Sequence, residues 1–112
     1  MDTHVNFDER FERVVLGIQE SGEDWAEKRF TWRQLDDCTK PLLARLKGRD
    51  GATEAARERI AMASQEYLDH IKGVAVAELD MLKAKVKYDR MITQFEAYRS
   101  LCSIEKKKMN LV

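Results

Sequence analysis

The sequence predicts an all-α protein, a long antiparallel helical hairpin or coiled coil that oligomerises into a helical bundle. Three observations lead to this prediction: apolar residues repeat every seven positions, the only proline is Pro41, and 36% of the residues are charged. Average globular proteins are about 25% charged, and an excess is typical of long helices with solvated faces. Because 112 residues suffice for one ordinary domain, we expect a single helical domain over residues 1–112.

The strongest pattern is a heptad stripe between residues 60 and 102. Steps of three and four residues along it meet one polar side chain, His70, and no proline. Side chains at this spacing share one side of a helix and must pack against another helix. We therefore predict a long helix over residues 53–107. The stripe comprises Ile60, Ala63, Tyr67, His70, Val74, Ala77, Met81, Ala84, Tyr88, Met91, Phe95, Tyr98 and Cys102.

An earlier helical arm is predicted over residues 7–47. Its apolar residues keep one phase from Phe7 to Leu46, across disturbances at Ser21-Gly22 and at Pro41. Glycine weakens a helix, so the arm has a break in its pattern near Gly22, but the preserved phase favours a helix that runs through this break or bends there. Proline removes a hydrogen bond, so we expect a kink or a restart of the helix near Pro41. Thr39 is a candidate cap for the short piece that follows the second break.

Residues 48–51, Gly-Arg-Asp-Gly, are the turn signal between the two arms. Gly48 suits a left-handed helix end, and Asp50 or Thr53 can cap the next helix. A hairpin centred on residue 50 would bring Trp25 to residues 74–75 and Phe11 to Tyr88. Residues 95–112 would then protrude beyond the first arm.

A second apolar row flanks the heptad stripe, and we name it the outer stripe. Two rows make an apolar face too wide for a two-helix contact, so we expect a homodimer or higher oligomer. The outer stripe comprises Leu68, Ile71, Ala75, Leu79, Leu82 and Val86. The residues expected to contact another copy or an unidentified protein partner are Tyr67, Val74, Met81, Tyr88, Phe95, Tyr98 and Leu101.

Charge is unevenly distributed although the totals balance at 20 against 20. Residues 1–27 hold eight acidic against two basic residues, and residues 83–108 hold eight basic against three acidic ones. These ends would meet in an antiparallel hairpin, which explains the gradient without a ligand. The alternative is that a basic C-terminal helix face contacts DNA or RNA phosphates. Its candidate residues are Lys83, Lys87, Arg90, Lys106, Lys107 and Lys108.

The sequence offers little for catalysis. His70 has Glu66 one helical turn away, but the sequence lacks the Glu-x-x-His elements of di-iron bundles, and the five glycines are not clustered as in a phosphate-binding loop. Cys38 and Cys102 lie too far apart in the expected hairpin for a disulfide. We therefore expect a non-enzymatic protein without cofactor or metal. The polar, acidic start and the absence of a long apolar run predict a cytoplasmic protein without signal peptide or membrane span.

The C-terminal segment of residues 98–109, YRSLCSIEKKKM, resembles the tail of small helical proteins encoded by phages and prophages. In those proteins an aromatic-Arg-Ser element precedes Ser-x-Glu and a basic end, and the preceding helix carries similar Tyr/Met heptads. The resemblance covers about the last 50 residues of the chain. Such proteins are often encoded near phage recombination genes, which implies an accessory role in DNA metabolism, and no site residue carries over.

The sequence thus predicts an interaction module, a structural or regulatory adaptor that acts through helix–helix contacts. Its protruding basic C-terminal segment would engage the partner. The alternative is a nucleic-acid-binding accessory protein of phage DNA recombination.

Overall fold

The computed structural model describes residues 3–48 and 53–110, with side chains from Glu9 onward. These residues form four α-helices and contain no strand. The helices are α1 (Thr3–Asp37), α2 (Thr39–Lys47), α3 (Glu54–Met62) and α4 (Gln65–Asn110). The all-α class is therefore confirmed for the described residues.

The described residues divide into two compact units. The terminal unit contains the chain up to Trp25 and from Lys83 onward, and the central unit is Ala26–Leu82. In the terminal unit, Phe11 contacts Phe95 and Trp25 stacks on Tyr88, so its two helical segments are antiparallel. This pairing brings the acidic N-terminal segment and the basic C-terminal segment into the same unit, as the charge gradient predicts.

The central unit is antiparallel as well. Thr39 Oγ1 lies 2.9 Å from His70 Nε2, and Arg45 pairs with Glu66 across the same two helices. Each unit therefore has the helical-hairpin pairing that the sequence predicts. Oligomerisation and the single domain over residues 1–112 stay predictions.

The heptad stripe coincides with the covered side of α4. From Tyr67 to Cys102 every stripe position is buried or half-buried, and nearly all intervening positions are exposed. Met81 is 8% exposed and Ala84 is 6% exposed. The stripe fails only at its start, because Ile60 is 69% exposed and Ala63 is exposed too.

Near Gly22 the helix is not interrupted: α1 continues through it to Asp37, as the preserved phase of the apolar residues favours. Ser21 is buried, and its hydroxyl donates to the carbonyl oxygens of Gly17 (2.6 Å) and Ile18 (3.2 Å). A Cβ on Gly22 would lie 3.1 Å from the Tyr88 ring. The small residues thus serve close packing inside a helix, and the interruption of the pattern at Ser21-Gly22 is not a break in the helix. The helix also begins at Thr3, four residues before the predicted start at residue 7.

The second break lies at Cys38, next to the expected position. The Cys38 N–H donates to the Leu35 carbonyl, and α2 then starts at Thr39. Pro41 is therefore in the first turn of α2, where its missing N–H costs no helical hydrogen bond. Cys38 occupies the cap position and gives no side-chain hydrogen bond, so Thr39 is not the cap that the sequence suggested.

Gly48 ends α2 with φ 62° and ψ −166°, a positive-φ conformation that suits glycine but is not the left-handed helical one that the sequence predicts. Thr53 caps α3, because its Oγ1 accepts a hydrogen bond from the Ala56 N–H at 3.3 Å. The rest of the predicted turn 48–51, including Asp50, lies outside the described residues.

The predicted continuous helix over 53–107 is wrong, because Ala63 and Ser64 separate α3 from α4. The Ser64 Oγ accepts from the Tyr67 N–H at 3.2 Å and donates to the Ala61 carbonyl at 2.7 Å. A serine hydroxyl that accepts from the third helical N–H is an N-cap, which ends one helix and starts the next. The α4 helix also extends beyond residue 107, to Asn110.

The break changes the pairing of the arms. Lys47 Nζ on α2 lies 3.4 Å from Glu54 Oε1 on α3. Arg45, only two residues earlier on α2, pairs with Glu66 on α4. The short helix α3 therefore lies beside the end of α2, and the antiparallel pairing with α2 is continued by α4. In the terminal unit Trp25 meets Tyr88 and Phe11 meets Phe95, where the hairpin centred on residue 50 placed them at residues 74–75 and at Tyr88.

Candidate interaction surface

Six of the seven predicted contact residues are covered within the chain itself. In the terminal unit Tyr88 stacks on Trp25, with ring centroids 5.5 Å apart. In the central unit Met81 is buried, and Tyr67 and Val74 are half-buried. This side of α4 is occupied within the chain, so the surface open to a partner lies elsewhere.

The C-terminal segment is covered further along than the sequence suggested. Phe95 and Tyr98 lie 6.1 and 6.5 Å from the Phe11 ring, so the prediction that they protrude uncovered was wrong. Leu101, the seventh predicted contact residue, is 60% exposed, and Ile104 is exposed beside it. Within the segment 95–112 that was predicted to protrude, the exposed apolar side chains therefore lie from Leu101 onward.

The outer stripe is the main row of exposed apolar side chains on α4. Its large residues in the central unit, Leu68, Ile71, Leu79 and Leu82, are 38–51% exposed, and Ala75 between them is exposed too. At about 100° per residue, these positions lie roughly 120° around α4 from the heptad stripe. The packing that covers the heptad stripe therefore leaves the outer stripe in solvent. Val86 in the terminal unit is likewise exposed.

Other exposed apolar residues escaped the sequence analysis, among them Phe30 and Val76. Phe30 on α1 is 63% exposed and Val76 on α4 is 59% exposed. Neither belongs to a repeating row, and isolated apolar residues on a surface are common. The sequence could have drawn attention to Phe30, because it is a large aromatic residue between the charged positions 29 and 33.

The basic residues proposed for nucleic-acid contact are all exposed. Lys83, Lys87 and Arg90 follow one another at helical spacing on α4, and we name them the basic row. The exposed Lys106, Lys107 and Lys108 lie near the end of the same helix. The aromatic residues Tyr88, Phe95 and Tyr98 are half-buried, so they do not form a base-stacking platform beside the basic row.

His70 is the polar member of the heptad stripe, and a hydrogen bond to Thr39 satisfies one of its ring nitrogens. This contact explains how the half-buried imidazole is accommodated among apolar neighbours. Within residues 3–48 and 53–110, no three His, Cys, Asp or Glu side chains are grouped as metal ligands. Cys38 and Cys102 are free thiols.

An open depression lies between α2 and α3 in the central unit. It is lined by Lys40, Lys47, Glu54 and Arg57 together with Leu43. The Arg57 Nη1 donates to the Gly48 carbonyl at 3.2 Å, so the guanidinium supports the end of α2.

None of the helices in the described part of the chain combines the length and apolar character that crossing a bilayer requires.

Comparisons with protein-family models, with curated proteins and with solved structures found no match. The function must therefore be argued from the surface itself. The outer stripe is the feature that distinguishes this surface, because its apolar side chains are aligned along a helix.

Proposed function

We propose that this protein is a non-enzymatic interaction module, a structural or regulatory adaptor that acts through helix–helix contacts. The observation that carries this proposal is the exposure of the outer stripe on α4. Single exposed apolar residues are ordinary on protein surfaces, whereas contiguous rows of them mark interaction sites. Four large aliphatic side chains and Ala75 form such a row within the central unit.

The spacing of the outer stripe favours a helical partner. Steps of three and four residues produce a narrow ridge along a helix, which fits the groove of another amphipathic helix. A flat or strand-like partner would not match this period. The free cysteines are typical of a reducing compartment, so the proposal includes a cytoplasmic location.

The test compares Leu79→Glu with Val76→Glu. Both positions are exposed and apolar, both lie on α4, and only Leu79 belongs to the outer stripe. Each tagged protein is used to retain binding partners from a lysate of the organism that carries the gene. We expect Leu79→Glu to lose partners, including untagged copies of the chain, that wild type and Val76→Glu both retain. Equal retention by the two variants would contradict the proposal.

The second candidate function is a nucleic-acid-binding accessory protein, as the resemblance to phage-encoded helical proteins suggests. Support comes from the exposure of the basic row and of Lys106–Lys108. Phosphate binding releases counterions, so binding to a short duplex DNA should fall steeply between about 50 and 200 mM salt.

Solution mass by light scattering, with and without the duplex, tests this alternative. Lys87→Glu should weaken the DNA complex more than Lys85→Glu, which makes the same charge change outside the basic row. A mass that is indifferent to DNA at low salt rules this function out.

A further inference from the structure

The exposed face of α4 carries an eleven-residue repeat, distinct from the seven-residue repeat of the heptad stripe. Leu68 recurs as Leu79, and Ile71 recurs as Leu82, each eleven positions later. Ala75 lies between the two pairs. Eleven residues complete three helical turns at about 3.67 residues per turn, so the repeat makes a nearly straight row along the helix.

The charges beside this row repeat with the same period. At about 100° per residue, Lys72 lies about 60° to one side of Ala75 and Glu78 about 60° to the other. Lys83 and Asp89 follow eleven residues later in the sequence and continue the same two flanks. Beside residues 68–82 the outer stripe therefore has a basic edge, marked by Lys72, and an acidic edge, marked by Glu78, and Lys85 interrupts the acidic side only beyond Leu82.

When two copies of α4 pair through this row, the basic edge of one copy faces the acidic edge of the other in one orientation only. Two parallel α4 helices in register place the basic edge of each copy against the acidic edge of the other, on both sides of the contact. An antiparallel pair would place basic against basic and acidic against acidic. Ion pairs that flank an apolar contact determine partner choice and orientation in coiled coils.

The charges next to Ala75 are available for such pairing. Neither Lys72 nor Glu78 forms an ion pair with another described side chain, and both are exposed. Six residues separate them along α4, an axial offset of roughly 9 Å that two long side chains can span. The small Ala75 side chain at the centre lets the two helix axes approach closely.

We propose that α4 pairs in parallel and in register with α4 of a second copy of this chain. The outer stripe residues Leu68, Ile71, Ala75, Leu79 and Leu82 form the apolar contact. Lys72 faces Glu78 of the partner subunit. This inference rests on the proposed function, for which it names the partner.

Charge reversal tests the pairing of the edges. Lys72→Glu alone and Glu78→Lys alone should each weaken the dimer roughly tenfold at low salt, because like charges then face each other on both sides. An equimolar mixture of the two single variants restores opposite charges, so it should form a heterodimer about as stable as the wild-type dimer. Sedimentation velocity measures all three, and circular dichroism verifies that each variant is helical.

Single cysteines test the orientation in a background with Cys38→Ser and Cys102→Ser. Parallel pairing puts residue 68 of one copy beside residue 68 of the other, so Leu68→Cys should form a covalent dimer under mild oxidation. Asp80→Cys is the control, because it lies about 140° around α4 from Ala75. A mixture of Leu68→Cys and Leu82→Cys that links when neither links alone would show antiparallel pairing and overturn the inference.

The outcomes separate this inference from the proposed function. A wild-type chain that is monomeric at high protein concentration overturns the inference. If Leu79→Glu then still loses partners that Val76→Glu retains, the interaction module stands with a different helical partner. If it does not, both proposals fail. Single charge variants that associate as tightly as wild type also overturn the inference.

Discussion

Gly17 of α1 lies directly against the side chain of Met91 on α4. A Cβ on Gly17 would collide with the Met91 methyl group and would lie 3.8 Å from its sulfur. Together with the buried Ser21 and with Gly22 against Tyr88, Gly17 lets the two helical segments of the terminal unit approach closely. This packing explains how α1 tolerates two glycines, each of which costs roughly 1 kcal/mol of helix propensity.

Replacing Gly17 with leucine should therefore destabilise the protein. The larger side chain must displace Met91, and overpacking of this kind costs about 1–3 kcal/mol. Chemical denaturation monitored by circular dichroism measures the change. The matched control is Gly73→Leu, where an added Cβ meets nothing within 4 Å. There the same substitution should stabilise α4 by up to about 1 kcal/mol. Effects of equal sign at the two positions would contradict the close approach at Gly17.

The hydrogen bond between Thr39 and His70 gives a second prediction. Thr39→Val keeps the shape of the side chain and removes the hydroxyl that lies 2.9 Å from His70 Nε2. The half-buried imidazole loses its partner, at an expected cost of about 1 kcal/mol in the free energy of unfolding. Thr39→Ser retains the hydroxyl and should lose less. If the valine and serine variants are equally stable, the hydrogen bond contributes nothing.

The heptad pattern predicted which side of α4 is covered, because a covered helix face repeats with the helical period. It could not predict the pairing of the arms, since a seven-residue repeat looks the same after a shift of one or two repeats. Phe11 meets Phe95, one repeat beyond the predicted Tyr88, and Trp25 meets Tyr88, about two repeats beyond the predicted residues 74–75. The break at Ser64 escaped notice because apolar residues continue the heptad across it.

Ser64 itself can be tested. Its hydroxyl caps α4 through the Tyr67 N–H, and loss of such a cap costs about 1 kcal/mol. Ser64→Ala should therefore lower the free energy of unfolding by about that amount. Ser64→Asp supplies another oxygen acceptor for the same N–H and should preserve most of the stability. Thermal and urea denaturation of the two variants measure the difference. If the alanine variant is as stable as the aspartate variant, the cap does not hold the start of α4.

Substituting aspartate at two nearby positions of α4, one in the heptad stripe and one in the outer stripe, should have different effects on stability. Met81 is 8% exposed and Leu79 is 51% exposed. Met81→Asp buries a carboxylate among apolar neighbours and should cost roughly 3 kcal/mol or more, with loss of helical circular dichroism. Leu79→Asp faces solvent in the single chain, so at low protein concentration it should keep its helicity and change stability by less than about 0.5 kcal/mol. At high concentration Leu79→Asp should abolish self-association, because the charge would then lie inside the contact between two α4 helices. An unfolded Leu79→Asp monomer would mean that this residue supports the fold of the single chain, and the outer stripe would then not be a surface reserved for a partner.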